Sequence, residues 1–332
     1  MVTVGAVVSE DDTEATEANV CCANCGVAEV DEIKLLEDCT DCDLVKYCSD
    51  KCRQDHREEH EEEECKKRKD ELYVKELFSQ PEETHLGECP ICFLPMPLDR
   101  TKSTFMSCCS KVICDGCKYA DIMNNIQDIF KGSSCPFCRQ QSSWRKDEEK
   151  IIKQMMKRVK ANDPVAMTQM GSRCYHKGNY DDAFEYWTKA AELGDTGAHY
   201  EIGVMYRDGE GVEKDAKKTV YHLEKAAIGG HHLARFNLGC IAGEMGHNET
   251  AVQHLIIAAK LGHEESMKGL WKHYSVGNIT KEDLDATLRA NQAAIDAAKS
   301  EQRDAAECFQ RNLRNKKEAE KLSKIIGQSQ RS

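Results

Sequence analysis

Three stretches decide the fold: residues 184–194, Phe-Glu-Tyr-Trp-Thr-Lys-Ala-Ala-Glu-Leu-Gly; residues 220–230, Val-Tyr-His-Leu-Glu-Lys-Ala-Ala-Ile-Gly-Gly; and residues 252–262, Val-Gln-His-Leu-Ile-Ile-Ala-Ala-Lys-Leu-Gly. Ala166, Ala198 and Ala234 precede these stretches, and with Ser266 after the last they follow one another at offsets of 32, 36 and 32 residues. Gly171, Gly203 and Gly239 keep step with them, as do Gly194, Gly230 and Gly262. A self-similarity of this period is that of paired helices, and it predicts three repeats plus a decayed fourth over residues 163–275. No single repeat can bury its own apolar face, so neighbours must stack on a shared elongated core. Gly203 and the Ala226-Ala227 pair are small enough to let helices approach closely there.

The segments Ile202-Gly-Val-Met-Tyr206 and Gly209-Glu-Gly-Val-Glu-Lys-Asp215 resemble Sel1-like repeats, relatives of the tetratricopeptide class. That resemblance implies a curved all-α solenoid whose surface binds protein partners. Cys174 and Cys240 fall in the predicted helices and are expected to act as buried small hydrophobes. Ahead of the repeats, Ile151, Ile152, Met155, Met156 and Val159 recur at helical spacing and predict a linking helix over 147–162, its methionines packing into core. Asn162-Asp163-Pro164 then supplies a helix cap followed by a first-turn proline. After the repeats, Thr280-Lys-Glu-Asp283 is a capping-box pattern that opens a charged segment, predicted as one capping helix over 280–326 before a short tail at 327–332. A coiled-coil arm is the sharper alternative, although alanine-rich seams bury little.

Cysteine usage separates the halves of the chain. Of 19 cysteines, sixteen lie between Cys21 and Cys138. Five pairs enclose two residues each (Cys22 and Cys25, Cys39 and Cys42, Cys89 and Cys92, Cys114 and Cys117, Cys135 and Cys138), and Cys48 and Cys52 enclose three. In a reducing compartment such pairs are metal ligands rather than disulfides. Zn²⁺ suits them, because it takes four thiolate or imidazole ligands at about 2.0–2.3 Å without geometric strain. Modules of this kind bury little apolar area and fold on the free energy of metal binding, about 10 kcal/mol or more per site.

Residues 21–65 carry eight ordered candidate ligands: Cys22, Cys25, Cys39, Cys42, Cys48, Cys52, His60 and Cys65. With Tyr47-Cys48-Ser49 they resemble the MYND-type zinc finger. The resemblance implies two interleaved ions, one on Cys22, Cys25, Cys48 and Cys52 and the other on Cys39, Cys42, His60 and Cys65. The family usually has three residues between its histidine and last cysteine, whereas His60 and Cys65 enclose four glutamates. Five helical positions turn a ligand by about 140°, so the helix must bulge, fray or exchange ligands, with His56 as the substitute at hand. Cys21 reads as a spare thiol. A helical connector follows over 66–86, and its Lys66–Lys69 cluster reads as a solvated face rather than a nuclear signal.

Residues 87–142 contain Cys89-Pro-Ile-Cys92, Cys108-Cys109, Cys114, Cys117 and Cys135-Pro-Phe-Cys138-Arg139. This arrangement resembles a RING finger in which a cysteine replaces the central histidine. The resemblance implies a cross-brace, with one zinc on Cys89, Cys92, Cys114 and Cys117 and another on Cys108, Cys109, Cys135 and Cys138. It further implies that Ile91, Pro136 and Arg139 contact a ubiquitin-conjugating enzyme, the module orienting a thioester-linked ubiquitin rather than contributing chemical groups. The adjacent Cys108 and Cys109 must bend the backbone to reach one ion, and four residues precede Cys114 where two or three are customary. About four zinc ions are expected in all.

Composition bounds the rest. The 332 residues carry 46 Lys and Arg against 58 Asp and Glu, a net charge of −12, which disfavours nucleic acid as a partner. No apolar run approaches the ~18–20 residues of a membrane span. The start, MVTVGAVVSEDD, lacks the basic region of a signal peptide and opens an acidic tail over 1–20 expected to be disordered, so an intracellular location, cytoplasmic or nuclear, is expected. Neither a nucleophile-base pairing nor a phosphate-cradling glycine loop stands out. The expected fold class is small zinc-stabilised α/β fingers in the N-terminal half followed by an all-α solenoid of Sel1-like repeats. The expected function is a zinc-binding adaptor resembling RING-type ubiquitin ligases, with a non-enzymatic scaffold as the alternative.

Overall fold

The structure is a computed structural model that describes residues 37–38, 46–47, 49–55, 64–124, 134–140 and 148–329. The chain divides into two compact units, residues 1–76 and 77–332. In the first, strands β1 (Glu37–Asp38) and β2 (Lys46–Tyr47) pair antiparallel, Glu37 opposite Tyr47. Helix α1 (Asp50–Asp55) follows, started by Ser49, whose hydroxyl accepts from the Cys52 amide at 3.2 Å. Helix α2 (Glu64–Leu77) runs to the boundary. The connector helix therefore stops at Leu77, short of the 86 expected, and residues 78–86 are turn and irregular chain.

The second unit opens with a cysteine-rich module. A hairpin of β3 (Ser103–Met106) and β4 (Lys111–Cys114) pairs Ser103 with Cys114 and Met106 with Lys111, and leads into α3 (Asp115–Asn124). Its small core consists of Met96, Met106 and Ile113 surrounded by cysteines.

Helix α4 (Glu148–Val159) then packs on a stack of helix pairs: α5 (Pro164–His176) with α6 (Tyr180–Glu192), α7 (Thr196–Asp208) with α8 (Ala216–Ile228), and α9 (His232–Glu244) with α10 (Asn248–Lys260). Asp163 and Asp195 accept from the amides of Ala166 and Ala198, so each cap lies three residues ahead of a repeat alanine that is itself fully buried. The glycine series marks close approach. A Cβ on Gly171 would stand 2.6 Å from Trp187 Nε1, one on Gly203 would stand 3.2 Å from Leu223, and one on Gly239 would stand 3.1 Å from Leu255. Each glycine is the slot into which the second helix of its repeat inserts a large side chain, and Trp187 is 1% exposed there. Ala226 and Ala227 are fully buried, as close helix packing requires.

Two expectations need correction. Residues 280–326 form two helices, α12 (Lys281–Ala297) and α13 (Glu301–Ser329), divided at 298–300, with α11 (Glu264–Ser275) ahead of them. Thr280 caps α12, its hydroxyl accepting from the Asp283 amide at 3.1 Å, and α12 packs on α10 and α11. Ser300 restarts the chain by accepting from the Arg303 amide, and α13 packs on α3 of the cysteine module. Cys240 is exposed rather than buried, because it sits on the outer face of α9, and Cys174 is half-buried. Among the described residues, no helix is long and apolar enough to cross a membrane.

Candidate metal centres

Three turns of one design shape the cysteine module. At Cys89–Phe93, Met106–Ser110 and Cys135–Arg139, the amide of the last residue donates to the carbonyl of the first at 2.8–2.9 Å, and the last residue is left-handed, with φ of 55°, 57° and 59°. Such φ values are uncommon for residues with a side chain. The middle turn explains how neighbouring cysteines serve one centre: it curls the hairpin loop so that Cys108 and Cys109 both face Cys135 and Cys138.

Two four-sulfur clusters result. Cys89, Cys92, Cys114 and Cys117 form one, and Cys108, Cys109, Cys135 and Cys138 form the other. Cys89 and Cys117 are 3.8 Å apart, as are Cys92 and Cys114; Cys109 and Cys135 are 3.9 Å apart, and Cys108 and Cys138 are 3.4 Å apart. Tetrahedral zinc with bonds of about 2.3 Å separates its sulfurs by about 3.8 Å, whereas a disulfide needs about 2.05 Å. The donor set and its spacing fit zinc, and all eight cysteines are free of disulfides.

The electrostatics agree. Amides of Cys117, Cys114 and Cys138 point at the sulfurs of Cys114, Cys89 and Cys135, each at 3.5 Å, and favour thiolates. A hydrogen bond from the Cys114 thiol holds Cys89 down at about 4 and correspondingly raises Cys114. Burial pushes Cys117 up to about 12 and Cys109 to about 11, and raises Cys108. Four clustered sulfurs cannot all ionise alone; a divalent cation removes that conflict.

The residues expected to contact a partner lie around these clusters. Ile91 and Pro136 are half-buried and Arg139 is exposed, while Phe93 and Phe137, beside them in the chain, are 70% and 41% exposed. Of the first finger's expected ligands, Cys22, Cys25, Cys39, Cys42, Cys48 and His60 lie outside the described residues, as does His56. Cys52 lies on α1, and Cys65 is buried on α2.

Sequence reasoning missed two features. Arg303 of α13 reaches the first cluster, donating to Cys92 Sγ at 3.6 Å and to the Pro95 carbonyl at 2.7 Å. Residues 77–110 also lie along the repeats. The buried Arg235 donates to the Leu77 carbonyl, the Phe78 ring packs tilted against His254 with centroids 4.8 Å apart, the His85 amide donates to the Gly230 carbonyl at 3.2 Å, and Arg100 pairs with Glu201 at 3.1 Å. Ser107 reaches Gln154 of α4 at 2.7 Å. These partners are more than 40 residues apart in the chain and leave no periodic trace in it.

Comparison with known families agrees with the repeat and first-finger readings. Residues 22–70 match the MYND finger, and residues 164–195, 196–231 and 232–263 match the Sel1 repeat. The chain thus carries a MYND finger, which implies zinc binding, and three Sel1 repeats. Among curated proteins, chitin synthase regulatory factor 4 of Schizosaccharomyces pombe is 28% identical over 131 residues, 37% of this chain and 20% of that protein. The putative beta-lactamase HcpC of Helicobacter pylori is 34% identical over 56 residues, 17% of this chain and 19% of that protein. The chain thus spans about a fifth of the length of these relatives. A Sel1 repeat protein of Oxalobacter formigenes, of known crystal structure, is 31% identical with a TM-score of 0.39, over 45% of this chain and 64% of that one.

Proposed function

We propose that the chain is a zinc-binding protein-interaction adaptor whose Cys89–Cys138 module works as a RING-type docking unit for a ubiquitin-conjugating enzyme. In this reading, the MYND finger and the repeats select the protein substrate. Zinc ions on the two four-cysteine clusters, and two more in the MYND finger, hold the modules in shape. The observation that carries the reading is the interleaving: the first and third cysteine pairs share one cluster, and the second and fourth share the other. Ile91, Pro136 and Arg139 stand beside those clusters, and the exposed rings of Phe93 and Phe137 offer apolar contact area. Catalysis of this kind is positional: the module would orient the enzyme-ubiquitin thioester and move no proton itself. A reconstituted autoubiquitination assay across a panel of conjugating enzymes tests it, with Ile91→Ala as control. Activity lost in that variant supports the reading, and silence of the wild type across the panel sinks it.

A second reading, a non-enzymatic scaffold, draws on a different observation. The repeats already grip residues 77–110 of their own chain, so they hold the cysteine module in place as a binder would hold a ligand. The same assay separates the two, because a scaffold captures partners without transferring ubiquitin.

A further inference from the structure

Apart from the cysteine clusters, one further group of metal-competent side chains comes together among the described residues: His85 from the segment after α2, and His231 and His232 at the start of α9. Their ligand nitrogens all lie within 4.8 Å of one another. His231 is 0% exposed and His232 is 4% exposed. The rings are stacked, His85 on His231 at 3.9 Å and Tyr200 on the same imidazole at 4.2 Å. Stacking serves the ring faces and leaves the edges, where the nitrogens are, unserved. Both nitrogens of His85, Nε2 of His231 and Nδ1 of His232 are buried without a hydrogen-bond partner among the described residues. Buried polar atoms are ordinarily paired, so a group of them gathered within 4.8 Å of one another calls for an occupant.

We propose that His85, His231 and His232 form a tris-imidazole metal site, distinct from the thiolate clusters, that takes zinc or a similar borderline transition cation and staples residues 83–85 to α9. Imidazole donors without a carboxylate select such ions over calcium or magnesium. The turn is built for the approach: Gly230 has a φ of +81°, and a Cβ there would stand 2.6 Å from the Glu83 carbonyl oxygen. Loading requires one proton shift. In the metal-free form, His231 Nδ1 caps α9 by accepting from the Ala234 amide at 3.3 Å, longer than the 2.7–3.2 Å of the aspartate caps Asp163, Asp195 and Asp215, so its proton is on Nε2. Ligation through Nε2 moves that proton to Nδ1 and releases the cap, with no net proton lost at this residue. Two charges oppose a cation here, the positive end of α9 and the guanidinium of Arg100, the latter balanced by Glu201 at 3.1 Å. The site therefore fills after the thiolate clusters.

Cadmium titration of the full chain, followed by cadmium NMR, tests this, because thiolate-bound and nitrogen-bound cadmium resonate in separate regions. A nitrogen-type resonance is expected after the thiolate signals saturate, worth one equivalent per chain. It should be absent in His85→Gln and in His231→Asn, whose amide still caps the helix, with the thiolate signals unchanged. No resonance beyond the thiolate set, or a nitrogen-type resonance that survives in His85→Gln, overturns the proposal. Should the variants fail to fold, the wild type decides alone: isotope-labelled histidine nitrogens that do not shift on metal addition after thiolate saturation also overturn it.

Discussion

The guanidinium of Arg303 donates to Cys92 Sγ at 3.6 Å, joining the last helix of the chain to the first four-cysteine cluster 211 residues earlier. The same side chain donates to the carbonyls of Pro95 at 2.7 Å, Leu94 at 3.3 Å and Ala298 at 2.5 Å, so one planar fork serves three oxygens and a sulfur. Gly116 makes room for it, since a Cβ there would stand 2.8 Å from Arg303 Cγ. The cluster's outer face is thus supported by α13, and its four sulfurs are held by more than their own loop.

Arg303→Ala should weaken that support. Hydrogen bonds to charged groups contribute about 1.5–3 kcal/mol, and removing this group also takes a positive charge from beside a thiolate. Zinc release to a chelator should quicken and the melting temperature should fall by several degrees. Arg303→Lys should recover little, because a point charge cannot replace a planar fork that serves four acceptors. Wild-type release kinetics in Arg303→Ala would show that the contact is incidental.

Metal removal should divide the chain rather than unfold all of it. The cysteine module's core consists of three large side chains and its cysteines, and structural zinc supplies about 10–16 kcal/mol per site. The repeats carry their own core around Trp187, Ile202 and Met205. Excess chelator should open residues 87–140 to protease while most helical circular dichroism persists. Because Cys114 and Cys117 are raised above neutral pH, reloading should release at least about two protons per ion, and affinity should fall as pH drops. Protection of that stretch in metal-free protein would contradict this.

Gly171→Ala should destabilise the first repeat more than Gly203→Ala or Gly239→Ala destabilises its own. The added methyl meets the rigid indole of Trp187 at 2.6 Å, against 3.1–3.2 Å from leucine side chains at the other two positions. Trp187 cannot retreat without giving up its 3.1 Å hydrogen bond to the Thr168 carbonyl. Overpacking of this kind costs about 1–3 kcal/mol, which urea denaturation measures directly; equal midpoints for all three variants would refute the ranking.

The repeat glycines are readable directly from the sequence. Period, caps and small-residue slots are local properties repeated every 32–36 residues, so Asp163, Gly171 and Thr280 announce their roles in the sequence. Ligand spacing marks the cysteine pairs, while their interleaving into two four-sulfur clusters is what the resemblance to a RING finger implies, and the sulfurs group that way. What stayed hidden depends on distant pairings. The break at 298–300 lies in a charged, alanine-rich run without Gly or Pro, and it follows from α12 packing on the repeats while α13 packs on the cysteine module. The convergence of His85 with His231 and His232 joins positions some 146 residues apart, and nothing near His85 in sequence points to it.

Acid should loosen the repeats through histidines buried neutral. Burial, with Arg235 nearby, lowers His254 to about 4; burial, with His199 and Lys218 nearby, lowers His222 to about 4. Unfolded, each titrates at its ordinary value of 6.5. Above that pH neither state binds the proton and stability is unaffected; below it the unfolded chain takes up protons that the fold refuses, so stability falls from 6.5 toward 4. The slope is at most about 1.4 kcal/mol per pH unit for each group, with His222 contributing less because it is half-exposed. In His254→Gln the loss between pH about 7.5 and about 5 should shrink by on the order of 1 kcal/mol, even though the variant starts less stable for want of the Phe78 contact. Urea midpoints at the two pH values measure this. Parallel losses in wild type and variant would mean that His254 accepts its proton in the folded state.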